Sequence, residues 1–186
     1  MNRIVLSHAY PANPQTAWYP FIATEMGNAG FDVLIPQLPD PDLAEWQKII
    51  KPLADRSPTK TILIGHSIGG VNILRYLENT EIGEKFPLLI LVAPPGFSLG
   101  YEVLKSFFKD PFDYNKIKSK VDKIVVIITL QDSVLAPEPM KHAQVYLENL
   151  NAKLIVLPEG GHFADFDNVT SLQEVIDEIN IIEDNQ

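Results

Sequence analysis

No cysteine occurs among the 186 residues of this chain. That absence removes a disulfide framework, a thiolate metal site and a cysteine nucleophile, and it suits a reducing compartment. Positive charge is also scarce, with 15 Lys and Arg against 24 Asp and Glu and a net charge of −9. A nucleic-acid surface needs a basic patch, and so does binding to an anionic membrane, so neither class of partner is expected. Long apolar runs are missing as well. No segment approaches the roughly 18 apolar residues of a membrane span. The opening Met1-Asn2-Arg3-Ile4-Val5-Leu6-Ser7-His8 holds too short an apolar run for a signal peptide. A cytoplasmic protein is the expectation.

What is present is a globular composition, 46% hydrophobic and 21% charged, in a length that predicts one domain over residues 1–186. Five short runs are apolar on both faces, which is the pattern of buried parallel strands. They fall at residues 4–6, 61–64, 88–92, 124–130 and 154–157. A sixth run, residues 32–35, stops at Pro36 and reads as a strand near the sheet edge. Helical stripes lie between them. Phe21, Ile22, Met26 and Ala29 form one, closed by Gly30. Leu43, Trp46, Ile49, Ile50 and Leu53 form another, opened by Asp42 with Glu45 three residues on, as in a capping box. Met140, Ala143, Leu147 and Leu150 make a third, and Leu172, Val175, Ile176, Ile179 and Ile182 the last. Strand and helix alternate throughout, which predicts a three-layer α/β/α sandwich on a mostly parallel sheet of about six strands. Residues 94–119 break the rhythm with six aromatic side chains, among them Phe97 and Tyr101. This excursion reads either as a pocket wall or small cap at the carboxyl end of a strand, or as helix-packing core.

The chemistry gathers at Gly65-His66-Ser67-Ile68-Gly69, a G-x-S-x-G turn. An apolar strand precedes it, and Val71, Leu74 and Leu77 follow three residues apart. Such a turn lifts a serine hydroxyl above a parallel sheet, and its glycines are needed where a Cβ would meet neighbouring backbone. A serine hydroxyl attacks only when a base takes its proton and an acid orients that base. Of the four histidines, His162 follows the last strand behind Gly160 and Gly161, a loop from which an imidazole reaches the sheet's carboxyl edge. His8 reads as a buried loop brace. Asp132 follows the most apolar strand and stands between serine and histidine in chain order, so it is the expected orienting acid. Asp165 and Asp167 are nearer His162 in sequence, and Asp167 reads better as a cap for the final helix. The expected oxyanion donors are the Ile68 amide, at a helix N-terminus, and the Ala9 or Tyr10 amide of the loop after the first strand. Tyr10, Trp18, Phe97 and Phe163 are candidates for an apolar substrate pocket.

Taken together, the motif around Ser67, Asp132 with Pro137 behind it, and Gly161-His162-Phe163 resemble the α/β-hydrolase fold. More narrowly, the chain resembles the small serine hydrolases related to retinoblastoma-binding protein 9. Trp18 with Pro20, residues 36–41 followed by Trp46, and residues 112–117 support the likeness, which runs from about residue 3 to 180. The resemblance implies a minimal α/β-hydrolase without a large lid, strand order 2-1-3-4-5-6, and a Ser67-His162-Asp132 triad. A triad of this kind implies no metal and no organic cofactor. Many such enzymes have His-Gly after the first strand; here Ala9 replaces the glycine. The retinoblastoma-type partner motif Leu-x-Cys-x-Glu cannot occur in a chain without cysteine, so that partner is not expected.

The expected activity is hydrolysis of small carboxylic esters, with amides and thioesters as further acyl substrates, through an acyl-enzyme on Ser67. The competing reading is a protein-binding module on a hydrolase scaffold that does little chemistry. Nucleotide binding through the elbow glycines is disfavoured, because they do not form G-x-G-x-x-G and no Gly-Lys-Ser/Thr follows.

Overall fold

The computed structural model describes residues 2–183. Six strands, β1 (Arg3–Ser7), β2 (Asp32–Leu34), β3 (Thr61–His66), β4 (Phe86–Val92), β5 (Val121–Thr129) and β6 (Lys153–Leu157), form one sheet. Its order is β2-β1-β3-β4-β5-β6 and every neighbouring pair is parallel. Parallel pairing demands crossovers, and helices supply them. They are α1 (Tyr19–Asn28), α2 (Leu43–Ala54), α3 (Ile68–Asn79), α4 (Tyr114–Ser119), α5 (Pro139–Leu150) and α6 (Gln173–Glu183).

Alternation along each strand divides the core into two layers. Val5, Leu63, Leu91 and Val126 face one way, toward Trp46 and Ile50 of α2, Leu74 of α3, Ile117 of α4 and Tyr146 of α5. Ile4, Ile64, Ile90 and Ile127 face the other way, toward Ile22 and Met26 of α1 and Val175 and Ile179 of α6. The three-layer α/β/α sandwich is the one the strand and helix pattern predicts, and the strand order is the one the resemblance implies. Asp42 caps α2, its carboxylate accepting the Glu45 N–H at 3.0 Å, but Glu45 does not return the bond and pairs with Lys48 instead.

Two elements differ from their sequence reading. β6 is the second edge strand and only half-covered, with Val156 42% exposed. In α5 the buried side chains are Pro139, His142, Ala143, Tyr146 and Leu150, while Met140 is exposed. His142 and Tyr146 carry polar tips, and both tips find backbone partners: Gly96 N–H donates to His142 Nδ1, and the Tyr146 hydroxyl donates to the Pro95 carbonyl. The excursion at 94–119 serves both of its open readings. Leu99, Tyr101, Val103 and Leu104 line a cleft, and Phe107 packs edge-on against Trp46 in the core, ring centres 5.1 Å apart.

Candidate active site

All the chemistry-bearing loops leave the carboxyl edge of the sheet. Ser67 joins β3 to α3 with φ 54° and ψ −127°, a conformation that a non-glycine residue holds only when its surroundings impose it. Two features impose it here. Ser67 N–H donates to the carbonyl of Val92, the last residue of β4, at 2.8 Å. The backbone is also pressed together, since a Cβ on Gly65 would land on the backbone of Gly70, and one on Gly69 on the carbonyls of Ser7 and His8.

Ser67 Oγ lies 2.8 Å from His162 Nε2, and His162 Nδ1 lies 2.7 Å from Asp132 Oδ2. All three side chains are buried. Asp132 Oδ1 accepts the N–H groups of Val134 and Leu135 at 2.8 and 2.9 Å, so the carboxylate is fixed in direction. A carboxylate that accepts from Nδ1–H leaves Nε2 as the lone-pair nitrogen facing the serine. The structure thus brings together the three residues that sequence spacing picked out.

The loop carrying His162 is held by a group with a different expected role. Asp167 does not cap α6. It sits in a 3-10 turn, Asp165–Asp167, and its Oδ2 accepts the N–H groups of His162 and Ala164 at 3.0 and 3.1 Å. Gly161 has φ 53°, and a Cβ there would overlap the Asp167 carboxylate. Thr129, at the end of β5, donates through Oγ1 to the Gly161 carbonyl at 2.7 Å.

A cleft of about 310 Å³ opens over Ser67. Its walls include Tyr10, Leu99, Tyr101, Leu104, Val134 and Phe166. Tyr10 therefore lies where the sequence reading puts it, but the other three candidate pocket aromatics do not. Trp18 is fully buried below the elbow, its ring 5.6 Å from that of His66. Phe163 is turned into the core beside α6. Phe97 stacks on His142 at 3.9 Å in a separate depression. Aromatic residues serve cores and pockets alike, so composition does not separate the two.

The candidate oxyanion donors also divide. Ile68 opens α3, where first-turn N–H groups have no intrahelical acceptor. The Ala9 N–H is already committed to the Tyr19 hydroxyl at 3.0 Å, which leaves the Tyr10 amide as the open donor of that loop. His8 acts as the expected brace. Its Nδ1 donates to the Ala9 carbonyl at 2.7 Å and its Nε2 accepts from Leu38 N–H at 3.0 Å.

With this geometry in place, comparison with known proteins is decisive: a family model described as serine hydrolase matches residues 4–180. The chain belongs to the serine hydrolase family. Among curated relatives of this serine hydrolase, YdeN of Bacillus subtilis is 26% identical over 179 residues, covering 94% of this chain and 93% of its own. Serine hydrolase RBBP9 of Rattus norvegicus is 31% identical over 152 residues, 78% of this chain and 77% of its own. The crystal structure of the ydeN gene product superposes with a TM-score of 0.91 at 25% identity, covering 99% of this chain and all 100% of that one. Est1E of Butyrivibrio proteoclasticus, solved with ferulic acid bound, shares the fold at a TM-score of 0.75 and 15% identity, covering 100% of this chain and 90% of that one. Among the described residues no helix is long and apolar enough to cross a membrane.

Proposed function

We propose that this serine hydrolase cleaves small, neutral carboxylic esters through an acyl-enzyme on Ser67. The observation that carries the reading is the continuous bond from Ser67 Oγ through His162 to Asp132, set at the floor of an apolar cleft. Ser67 Oγ bonds to the ester carbonyl carbon while His162 Nε2 takes its proton, and the carbonyl π pair moves to oxygen. The Ile68 and Tyr10 amides donate to that oxyanion. Collapse of the intermediate breaks the carbon–oxygen bond to the alcohol, which leaves with the proton from His162. Water then repeats the sequence, giving its proton to His162 and releasing the acid and Ser67. Asp132 stabilises the imidazolium in both halves. One domain spanning the family match suffices for all these parts.

The walls support the substrate class. Of the described residues lining the cleft, one carries a formal charge, Asp165, and none is Lys or Arg. Phosphate-bearing acyl carriers meet no cation there, whereas a neutral ester places its apolar parts against Leu99, Leu104 and Val134. The cleft is at the small end of ligand sites, which favours short acyl chains.

The test is labelling by a fluorophosphonate probe, followed by an ester chain-length series. Wild type is expected to label, and Ser67→Ala to fold normally without labelling and with turnover lowered ~10⁴-fold or more. Undiminished hydrolysis by folded Ser67→Ala would falsify the assignment. Absence of labelling in folded wild type would favour the binding-module reading, and a preference for long acyl chains would contradict the short-chain cleft.

A further inference from the structure

One chain of hydrogen bonds in the site has no place in the proton transfers above. Ala9 N–H points at the Tyr19 hydroxyl at 3.0 Å, that hydroxyl lies 2.6 Å from His66 Nδ1, and His66 Nε2 lies 2.8 Å from the carbonyl of His162. Its polarity is determined from one end. A carbonyl only accepts, so His66 Nε2 carries the hydrogen, and a neutral imidazole then has a lone pair at Nδ1. The Tyr19 hydroxyl must donate to that lone pair, which leaves its oxygen free to accept from Ala9. Tyr19 and His66 are both fully buried. Burial, aided by the neighbouring His162, holds His66 down to about 3, so it stays neutral across the working range. Burial likewise pushes the Tyr19 phenol up, so it keeps its proton.

The three tethered points belong to three separate elements. Ala9 precedes the Tyr10 amide in the loop after β1, His66 precedes Ser67 at the end of β3, and His162 follows β6. We propose that Tyr19 and His66 are positioning residues: their hydrogen-bond chain sets the distance of the Tyr10 oxyanion donor and of the His162 ring from Ser67. The proposal rests on the serine hydrolase mechanism given above. It also explains why an amide beside the oxyanion site is tied to a phenol. The bond holds the Ala9–Tyr10 peptide in one orientation, which makes the neighbouring N–H available to substrate without reorganisation.

Tyr19→Phe removes one oxygen and cuts the chain at its centre. Displacement of a donor by a fraction of an ångström is felt in turnover more than in binding, so kcat is expected to fall about 10- to 100-fold with KM within about twofold. The histidine can be split in two. His66→Gln keeps a donor near the Nε2 position and loses the acceptor for Tyr19, and His66→Asn does the reverse. His66→Gln combined with Tyr19→Phe is therefore expected to be no slower than Tyr19→Phe alone, whereas His66→Asn combined with it is slower still. Tyr76→Phe, which removes a phenol bonded to Asp55 at 2.7 Å near the far end of α3, is the control: it lowers the melting temperature and leaves kcat unchanged.

A folded Tyr19→Phe enzyme that loses stability as Tyr76→Phe does, yet keeps its kcat, overturns the proposal. So does a faster one, which would mean that the released Ala9 N–H is itself the oxyanion donor. If the His66 variants do not fold, Tyr19→Phe and its kcat against KM decide alone. Failure of the underlying mechanism is read separately, because it appears as undiminished activity in Ser67→Ala with the tyrosine intact.

Discussion

Gly69 lets the first turn of α3 lie directly on the loop after β1, and Gly70, its neighbour, faces a side chain instead. A Cβ at Gly69 would overlap the carbonyls of Ser7 and His8, whereas one at Gly70 would meet Leu91 Cδ2 at 3.2 Å. Backbone cannot move aside without dragging β1, but a leucine methyl can rotate. Gly69→Ala is therefore expected to cost about 3 kcal/mol or more, as overpacking against fixed backbone does. Gly70→Ala is expected to stay within about 1 kcal/mol of wild type, because the gain in helix propensity offsets the tighter leucine contact. Urea denaturation of both variants reads the difference. Equal stabilities would contradict the account of the elbow as two backbones in contact.

Among the elements, the cleft wall formed by residues 99–104 depends on a buried cation behind it. Arg75 of α3 is 5% exposed. Its guanidinium donates to the carbonyls of Phe107, Asp110 and Pro111, pairs with Glu78 at 2.7 Å, and lies 3.7 Å from the centre of the Phe112 ring. Arg75→Met leaves three carbonyls and Glu78 Oε2 without the donor they share, for an expected loss of about 3–5 kcal/mol. Arg75→Lys keeps the charge but lacks the planar fork, so it recovers only part. Thermal melts rank the three proteins, and KM is expected to rise in the same order as the wall loosens; unchanged KM in Arg75→Lys and Arg75→Met would detach the wall from this clamp. Nothing in the sequence around Arg75 announced the clamp, since its carbonyl partners lie more than thirty positions away. The same limit governs the rest. The strands were legible because apolar runs between turn signals need burial on both faces, and Ser67, Asp132 and His162 because each follows a strand in a fixed order. The covered face of α5 was not legible, because His142 and Tyr146 count as polar until Gly96 and Pro95 are seen to satisfy them. Asp167 was misread for a related reason: its carboxylate acts backward on the His162 loop, while helix-capping logic looks forward.

Over the whole molecule, three of the four histidines, His8, His66 and His142, are shifted down by burial, which disfavours their charged forms. The unfolded chain protonates them near pH 6.5, while the folded protein resists, His66 down to about 3. Below pH 6.5 the unfolded state thus binds more protons, and stability falls as the solution is acidified. His66 alone accounts for a slope of up to about 1.4 kcal/mol per pH unit between those limits. The melting temperature is expected to drop steadily from pH 7 to pH 4, and less steeply in His66→Asn. A flat profile in wild type would mean that these histidines do take up protons in the native state.

The placement of β6 at a sheet edge bears on how the molecule loses function. Its outer side is half-covered, and the loop that leaves it carries His162. Peripheral strands open at lower free energy than central ones, so β6 can fray while β3 and β5 still present Ser67 and Asp132. In a urea series, probe labelling is then expected to vanish before far-ultraviolet dichroism changes, with amides of residues 153–157 exchanging ahead of those in β3 and β4. A nucleophile built at the centre of the sheet would outlast the base that activates it, and inactivation would begin as a local event at the rim.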